Sequence, residues 1–280
     1  MTPLVSVICI SFNHAAYVRE ALDSVVGQTY PSVELVVVDD ASTDNSREII
    51  TAWMAQHPGV RFISMPENGG NCKAFNTAFR ETTGQYVIDL SADDILMPGR
   101  VERGVAFLEA HPEVGVQFTD AERIDATGRH LGYHSDRFPH HTIPQGKIFR
   151  EILSRYFINS PTCMIRRTVL EALDGFDESL AYEDFDFWVR SSSRTDYAYC
   201  PEPLVRRREL PASMGRQQYR SRSRQAWSTL VVCRKALGLC KEEGDYKALR
   251  KRVAYEGRQA LRVTDFRLAW AYARLWSEAR

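Results

Sequence analysis

Residues 5–46, VSVICISFNHAAYVREALDSVVGQTYPSVELVVVDDASTDNS, contain the pattern that decides the fold. Two apolar, β-branched runs, at 4–11 and 33–40, flank a segment (15–29) whose apolar residues recur at helical spacing. The unit then repeats, with a predicted helix at 41–57, a strand at 60–65, a helix at 69–82 and a strand at 86–94. Strands this apolar, alternating with helices, predict a mainly parallel sheet that helices cover on both faces.

Polar side chains follow the predicted strands at their carboxyl ends, where ligands bind in sheets of this kind. The groups that fall there are Ser11, Asn13, Asp39, Asp40, Ser91, Asp93 and Asp94. We expect them to converge on one crevice. Asp93 and Asp94 are adjacent carboxylates that repel each other, which indicates that a positive charge lies between them. Asp89 is expected to share the face of Ser91 but to lie deeper in the sheet.

The composition is that of an ordinary globular protein, with 280 residues, 44% of them apolar and 26% charged. No apolar run reaches the roughly 18 residues that a bilayer span needs, and no basic segment precedes the first apolar run. The six cysteines form no C-x-x-C pair and lie mostly in apolar stretches. We therefore expect a cytoplasmic protein with reduced, buried thiols and no sulfur-bound metal.

The charge is unevenly distributed along the chain. Residues 215–280 carry 16 Lys and Arg against 6 Asp and Glu, although the whole chain has a net charge of zero. This stretch contains no proline, and its apolar stripes predict a basic, amphipathic helical extension. Such a surface suits an anionic membrane or nucleic acid, or helices that dock on an acidic body. We expect peripheral contact with an anionic membrane and no nucleic-acid partner.

The regular alternation of predicted strands and helices ends after residue 100. The predicted elements are a helix at 98–111, a strand at 114–125, a flexible loop over the site at 130–146, a strand and helix within 160–178, a helix at 182–192 and a closing strand at 197–210. Four of the seven histidines, His130, His134, His140 and His141, crowd the loop without a metal-binding spacing. We interpret them as surface residues.

Five ordered motifs resemble those of the family 2 inverting glycosyltransferases of GT-A fold. They are the opening stretch 5–46, NGGNCKAFNTAF (68–79), LSADDILMPGR (90–100), GFDESLAYEDFDFWVR (175–190) and PLVRRRELPASM (203–214). The resemblance covers residues 4 to about 214. It implies a Rossmann-like GT-A domain at 1–214, with a nucleotide-sugar-binding half (1–100) and an acceptor-binding half (101–214), followed by the α-helical extension at 215–280.

The resemblance implies the transfer of a sugar, with inversion, from a nucleotide sugar to a hydroxyl of a glycan or lipid-linked saccharide. A UDP-sugar is favoured as the donor. The acidic pair Asp93 and Asp94 aligns with the metal-binding motif of the family, which implies Mn²⁺ or Mg²⁺ on the leaving diphosphate. Asp184 is implied to be the general base and Glu183 a second carboxylate that binds the acceptor.

Several residues are implied to bind the donor. The residues implied to surround the nucleobase are Ser11, Phe12, Asn13 and Asp40. The Asp40 carboxylate can accept a hydrogen bond from the uracil imide, and the Phe12 ring can pack against the base. Ser91 and Asp93 lie at the ribose and phosphate. Lys73, near a helix N-terminus, and Arg208 are the candidates for the diphosphate. Three residues have an alternative interpretation without a role in binding. Lys73 would be solvated, Asp44 would cap the next helix and Trp188 would fill the core.

Two departures from the family pattern keep a second function open. Ser91 stands where the first acidic residue of the motif is usual, and Leu210 where relatives often carry a histidine. A catalytically silent module that binds nucleotide sugars or glycans is therefore the alternative, although Asp184 argues against it. A nucleotidyltransferase would need a glycine-rich, basic loop after the first strand, and ISFNHAAY (10–17) has neither glycine nor lysine.

Overall fold

The computed structural model describes residues 2–138, 142–210, 220 and 223–279. The elements of the first part are β1 (Val5–Ser11), α1 (Val18–Val26), β2 (Val33–Asp39), α2 (Ser46–Met54), β3 (Arg61–Ser64), α3 (Asn71–Phe79), β4 (Tyr86–Ser91), β5 (Ile95–Leu96) and α4 (Arg100–Ala110).

The rest of the chain adds further strands and most of the helices. These elements are β6 (Val114–Ile124), β7 (His130–Tyr133), α5 (Phe149–Ser154), β8 (Cys163–Arg166), α6 (Arg167–Glu171), α7 (Asp184–Ser192), β9 (Asp196–Arg208), α8 (Arg224–Leu239), α9 (Glu243–Arg262) and α10 (Phe266–Glu278).

One mixed sheet organises the molecule, with the strand order β3-β2-β1-β4-β8-β6-β9-β5 and with β7 paired to β6. The first four strands are parallel, as the periodicity predicts. Strand β8 then runs antiparallel to β4 and β6, and the short β5 runs antiparallel to β9. The predicted α/β class, with helices on both faces, is confirmed.

Alternating side chains of the central strands fill two cores, one on each face of the sheet. Val5, Val7 and Cys9 point into the core that α1, α2 and α4 cover. Ile8 and Ile10 point into the other core, which is shared by α3, α5, α7 and the three C-terminal helices. This period of two is what a strand buried on both faces requires. The C-terminal extension therefore packs on the same face of the sheet as α7.

Helix α2 begins later than the sequence predicts. The expected start lay near Ser42 or Asp44, but the first helical residue is Ser46. Residues 42–44 do not join the helix, because the Asn13 side-chain oxygen accepts hydrogen bonds from the backbone of Thr43 and Asp44. Asp44 nevertheless serves the helix, since its carboxylate accepts from the Ser46 backbone N–H and hydroxyl.

The segment 130–146 is more ordered than predicted. His130–Tyr133 forms β7, which pairs with the end of β6, and Ser135–Arg137 forms a 3-10 turn. Asp120 holds this turn by accepting from the Ser135 backbone and hydroxyl. The prediction of a flexible loop is therefore wrong for 130–137, because an edge strand was available to pair with it. His140 and His141 lie outside the described residues.

Five of the six cysteines are buried, Cys200 is half-buried and all are free thiols, as predicted. Burial raises the pKa of Cys163 to about 12, so this thiol stays protonated at neutral pH. No helix within the described part of the chain has the length and apolarity that crossing a bilayer would need.

Candidate active site

The carboxyl ends of β1, β2 and β4 form the floor of a crevice. The parallel register pairs Ser11 with Asp39 and Ile10 with Ser91, so three predicted site residues end adjacent strands. Ser11 and Asp39 are fully buried, and the Ser11 hydroxyl and one Asp39 carboxylate oxygen lack a protein hydrogen-bond partner. Buried polar atoms of this kind cost free energy unless another group or water satisfies them.

The loop after β1 is held in a conformation that few residues adopt. Asn13 has a φ of 59°, and its side-chain oxygen accepts from the backbone of Thr43 and Asp44 and from the Thr43 hydroxyl. Its own backbone N–H donates to the Ser42 hydroxyl. Asn13 thus ties the β1 loop to the β2 loop. Phe12, beside it, is 41% exposed.

The carboxylate of Asp40 is already hydrogen-bonded to other groups of the protein. Its two carboxylate oxygens accept from the backbone N–H groups of Gly69 and Gly70, at 2.7 and 2.9 Å. These bonds place the turn that begins α3, where Gly70 has a φ of 81°. The neighbouring Asp39 has one oxygen bonded to the Ser42 N–H and one unpartnered. Asp39 is therefore a second acceptor at this end of the crevice.

Lys73 lies in the first turn of α3, with its side chain 43% exposed and its ammonium 3.9 Å from Glu67. An exposed pair of this kind contributes little to stability and leaves the ammonium free to move. The phosphate role of Lys73 therefore stays a prediction.

The acidic turn after β4 places Asp93 outward and Asp94 inward. The Ser91 hydroxyl donates to Asp93 at 2.5 Å, and the His14 ring lies 4.0 Å from the same carboxylate. Asp94 is 5% exposed and accepts from the backbone N–H of Arg208 at 2.8 Å. Burial, followed by the charge of Asp93, raises the pKa of Asp94 well above its usual value. A cation at this turn would relieve that repulsion.

The donor set suits a metal that completes its shell with substrate and water. Within the described residues, no group of three or more His, Cys, Asp or Glu side chains forms a preassembled site. Mg²⁺ and Mn²⁺ bind hard oxygen ligands, and Mg²⁺ is usually held by one or two carboxylates together with substrate phosphates. Asp93 and Asp94 supply such carboxylates, and Leu210 supplies no third ligand.

The two arginines at the end of β9 point to opposite faces. The Arg208 side chain is 2% exposed, and its guanidinium donates to Glu20 and to the backbone oxygens of Asp93, Asp125 and Ala126. It therefore braces the acidic turn from inside the protein and does not face the crevice.

Arg207, one residue earlier, is a more exposed cation whose charge acts on the acidic groups. Its side chain is 32% exposed, and its charge opposes the effect of burial, which raises the pKa of both Asp94 and Asp184. Sequence reasoning missed Arg207, although the period of two along a strand would have separated it from Arg208.

Glu183 and Asp184 begin α7 on the other side of the crevice. Glu183 is the N-cap residue, and Asp184 accepts from the Phe185 N–H at 2.5 Å. Burial and then the charge of Asp184 raise the pKa of Glu183 to about 7, and burial also raises the pKa of Asp184. One Glu183 carboxylate oxygen is buried without a protein partner. Burial therefore disfavours the charged form of both carboxyl groups. Trp188 is buried in the core, as expected.

Asp89 joins the two sides of the crevice. Burial, and then the charges of Glu183, Asp184 and Asp94, raise its pKa well above the usual value. The Asn71 side chain at the start of α3 acts on both Asp89 and Glu183, where it opposes the rise in pKa. The acidic turn and the start of α7, distant in sequence, therefore face the same crevice. Neither Asp89 nor Asn71 was among the predicted site residues.

A sequence profile of the family described as glycosyl transferase family 2 matches residues 6–174. The chain belongs to this family. The resemblance seen in the sequence motifs is thereby confirmed. An uncharacterized glycosyltransferase of Nostoc is 40% identical over 112 residues, which cover 40% of this chain and 35% of that protein.

A second relative of this chain is chondroitin synthase of Escherichia coli. The two are 31% identical over 193 residues, which cover 68% of this chain and 26% of that protein. The chain spans about a third of the length of the first two relatives it matches.

Two solved structures confirm the GT-A fold. A mannosyltransferase of Pyrobaculum calidifontis, in complex with GDP-Man and Mn²⁺, superposes with a TM-score of 0.70 at 21% identity, covering 100% of this chain and 75% of that one. S. aureus TarS, in complex with UDP-GlcNAc, superposes with a TM-score of 0.68 at 19% identity, covering 89% of this chain and 71% of that one.

Proposed function

We propose that this family 2 protein transfers a sugar from a nucleotide sugar to a hydroxyl of a glycan or lipid-linked saccharide, with inversion. One observation carries the proposal: the acidic turn after β4 and the Glu183–Asp184 pair face one crevice, where their charges raise the pKa of Asp89. One acidic group suits a cation and a leaving diphosphate, and the other suits the removal of a proton. Chondroitin synthase, a relative named for making a polysaccharide, supports a saccharide acceptor.

The diphosphate end is assigned to Asp93, Asp94, Arg207 and Lys73. Asp93 and Asp94 would hold Mn²⁺ or Mg²⁺, which when bound stabilises the negative charge on the leaving diphosphate. The Mn²⁺ complex of the Pyrobaculum mannosyltransferase supports this cofactor. Arg207 supplies a cation whose charge acts on both the acidic turn and Asp184. Arg208 acts by bracing the backbone of Asp93, to which its Nε donates at 3.0 Å.

The nucleobase end is assigned to Ser11, Phe12, Asn13 and Asp40, with Ser91 at the ribose. The Phe12 ring packs against the base, while Asn13 holds the adjoining loop. Because both oxygens of Asp40 already accept from the glycine turn, Asp39 is the competing acceptor for the uracil imide. The UDP-GlcNAc complex of TarS supports uracil, whereas the GDP-Man complex of the mannosyltransferase supports guanine. We favour uracil.

The acceptor end is assigned to Asp184 and Glu183. Asp184 takes the proton of the acceptor hydroxyl as the new C–O bond forms, and the hydroxyl attacks the anomeric carbon opposite the leaving diphosphate. Glu183 binds the acceptor through its unpartnered oxygen. A single base suffices, because no protein acid is needed when the leaving group is a metal-bound diphosphate.

The direct test is donor binding by thermal shift and calorimetry. UDP-GlcNAc, UDP-glucose, UDP-galactose and GDP-mannose are each added with Mn²⁺ to the wild type and to Asp93→Asn. A specific donor raises the melting temperature of the wild type by mass action, and Asp93→Asn loses the metal-dependent part of that shift. Equal shifts in both proteins contradict the metal assignment, and no shift with any donor contradicts nucleotide-sugar binding.

A catalytically silent binding module is the alternative, because Ser91 and Leu210 replace residues that would bring charge or a ligand to the metal. The two functions differ in the release of nucleoside diphosphate. We expect slow, Mn²⁺-dependent donor hydrolysis in which water takes the place of the acceptor. Binding of a donor without any hydrolysis would favour the silent module.

We further propose that the extension touches an anionic membrane surface on the inner face of the cell membrane. Phe266 and Trp270, one turn apart on α10, are 69% and 67% exposed, and the exposed Arg267 and Arg274 lie on the same helix. Aromatic side chains beside cations are typical of helices that lie in a membrane interface. Leu230 and Tyr272 of the extension are buried and do not contribute to this surface.

Vesicle co-sedimentation tests the membrane contact. We expect binding to vesicles that contain phosphatidylglycerol, loss of binding at high salt and weakened binding in Phe266→Ser with Trp270→Ser. Tyr133→Ser, which changes a 40% exposed aromatic residue far from the extension in sequence, is the matched control. No sedimentation of the wild type at low salt would refute the contact.

A further inference from the structure

The segment 177–186, which carries Glu183 and Asp184, is held mostly by contacts with other parts of the chain. Its residues 177–183, between α6 and α7, form no strand or helix, and its last three residues begin α7. Its internal bonds are local ones, such as those from Ser179 to Asp177. The position of the acidic pair therefore depends on what packs behind the segment.

Lys235 of α8 binds both ends of the segment. Its ammonium lies 2.5 Å from an Asp177 oxygen and 2.6 Å from an Asp186 oxygen, so one cation spans the residues on either side of Glu183 and Asp184. Asp186 is 1% exposed, and Arg190 satisfies its other oxygen at 2.6 Å. Although burial acts to raise the pKa of Asp177, the bonds from Lys235 and Ser179 lower it to about 2. This ionic bridge is intact at neutral pH.

Two further contacts from the extension reach the same segment. The Ser228 hydroxyl accepts from the Ala181 N–H at 3.0 Å, and the Thr229 hydroxyl lies 2.7 Å from the Tyr182 hydroxyl. Ala181 and Tyr182 directly precede Glu183, so the extension holds the backbone that leads into the acidic pair.

Arg252 of α9 packs against the segment 177–186 through the ring of Phe185. Its guanidinium lies 5.1 Å from the centre of the Phe185 ring and 4.3 Å from that of Tyr156, and it is anchored by a bond to the Leu153 oxygen at 3.0 Å. Phe185 follows Asp184 directly, and its ring packs edge-on against Tyr156 at 5.2 Å. Cation–π contacts in a buried setting are among the stronger ones.

We propose that the extension is a positioning element of the active site, in which Lys235, Ser228 and Arg252 fix the segment that presents Asp184 to the acceptor. The inference rests on the proposed role of Asp184 as the base. It assigns to the extension a function separate from membrane contact, since these side chains lie on its inner faces. A small displacement of a catalytic group lowers the rate steeply, while the donor end, built on other loops, stays as it is.

The test compares Lys235→Met with Lys235→Arg and with Arg234→Met, a neighbouring cation on the exposed side of α8. Turnover is measured as Mn²⁺-dependent release of nucleoside diphosphate from UDP-GlcNAc or GDP-mannose, whichever the wild type hydrolyses faster. Affinity for the corresponding nucleoside diphosphate is measured by calorimetry. Amide hydrogen exchange of residues 177–187 reports the segment itself.

We expect Lys235→Met to lower kcat about tenfold or more, to keep the affinity within about twofold and to speed exchange in the segment. Lys235→Arg should restore most of the rate, and Arg234→Met should match the wild type. Ser228→Ala, a milder variant, should show a smaller change in the same direction and serves if Lys235→Met does not fold. A kcat of Lys235→Met equal to that of Arg234→Met, or parallel losses of kcat and affinity, would overturn the proposal.

Asp184→Asn in the same assay distinguishes failure of the base assignment from failure of the positioning role. If Asp184→Asn keeps the wild-type rate, the base assignment fails whatever Lys235 does. If Asp184→Asn is inactive while Lys235→Met is normal, only the positioning role fails.

Discussion

The proposed donor end and the proposed acceptor end of the crevice differ in how their polar side chains are held. At the donor end, Asn13 and Asp40 are satisfied by backbone groups of adjoining loops, so these polar residues hold together the site they line. At the acceptor end, Glu183 and Asp184 are desolvated carboxylates with raised pKa values. Their support comes from Lys235 of α8 and Arg252 of α9, much further along the chain. A preorganised pocket suits binding, and a desolvated acidic pair suits proton transfer.

The largest effect is expected at the acceptor end. Asp184→Asn keeps the shape of the side chain but removes the proton acceptor, and a positioned carboxylate base contributes about 10²–10⁴-fold. Turnover should fall within that range, while calorimetry with the nucleoside diphosphate and Mn²⁺ gives a wild-type affinity. A variant that loses affinity as much as turnover would erase the distinction between the two ends.

A smaller effect is expected on the pH dependence of kcat. The base acts only when deprotonated, so the raised pKa of Asp184 predicts a rate that rises with pH and does so at a higher pH than an ordinary aspartate would give. Glu183→Gln removes a negative neighbour of Asp184, which lowers the pKa of Asp184 and moves the rise to lower pH. The profile of kcat against pH, measured on both proteins from mildly acidic to mildly alkaline buffers, checks this. An unchanged midpoint would show that the pair does not couple.

The smallest effect is expected at the donor end. Asn13→Ala removes three hydrogen bonds and replaces a residue that tolerates a φ of 59°. Because the bonds are exposed, each contributes little, and we expect donor affinity to fall about five- to tenfold with kcat unchanged. Thr77→Ala, whose hydroxyl bonds within α3, is the matched control. A fall in kcat alone would contradict a binding role for this loop.

The sequence predicts the donor end well because its signals are local. Apolar runs of strand length predicted β1 to β4 and the residues that end them, and these strands pair in the expected parallel order. The late start of α2 was not predictable, since it depends on bonds between Asn13 and a loop 30 residues away.

The acceptor end was predicted only in part. The acidic motif indicated Glu183 and Asp184, but nothing local indicates that Asp89 and Asn71 would meet them. Alternation along β9 could have identified Arg207 as the outward arginine, whereas the motif directed attention to Arg208. The contacts from Lys235 join residues 49 and 58 positions apart, and no periodic pattern encodes such a pairing.

The proposed function depends above all on a single displacement at the anomeric carbon with Asp184 as the base. Proton NMR of the wild-type protein with an α-linked donor such as UDP-GlcNAc and diamagnetic Mg²⁺ can follow this step, because water in place of the acceptor releases a free sugar whose anomeric signal is resolved. If UDP-GlcNAc is not hydrolysed, α-linked GDP-mannose is used instead. We expect the β-anomer to form first, before mutarotation mixes the two, and Asp184→Asn to form neither at a comparable rate. Initial formation of the α-anomer would contradict the single displacement.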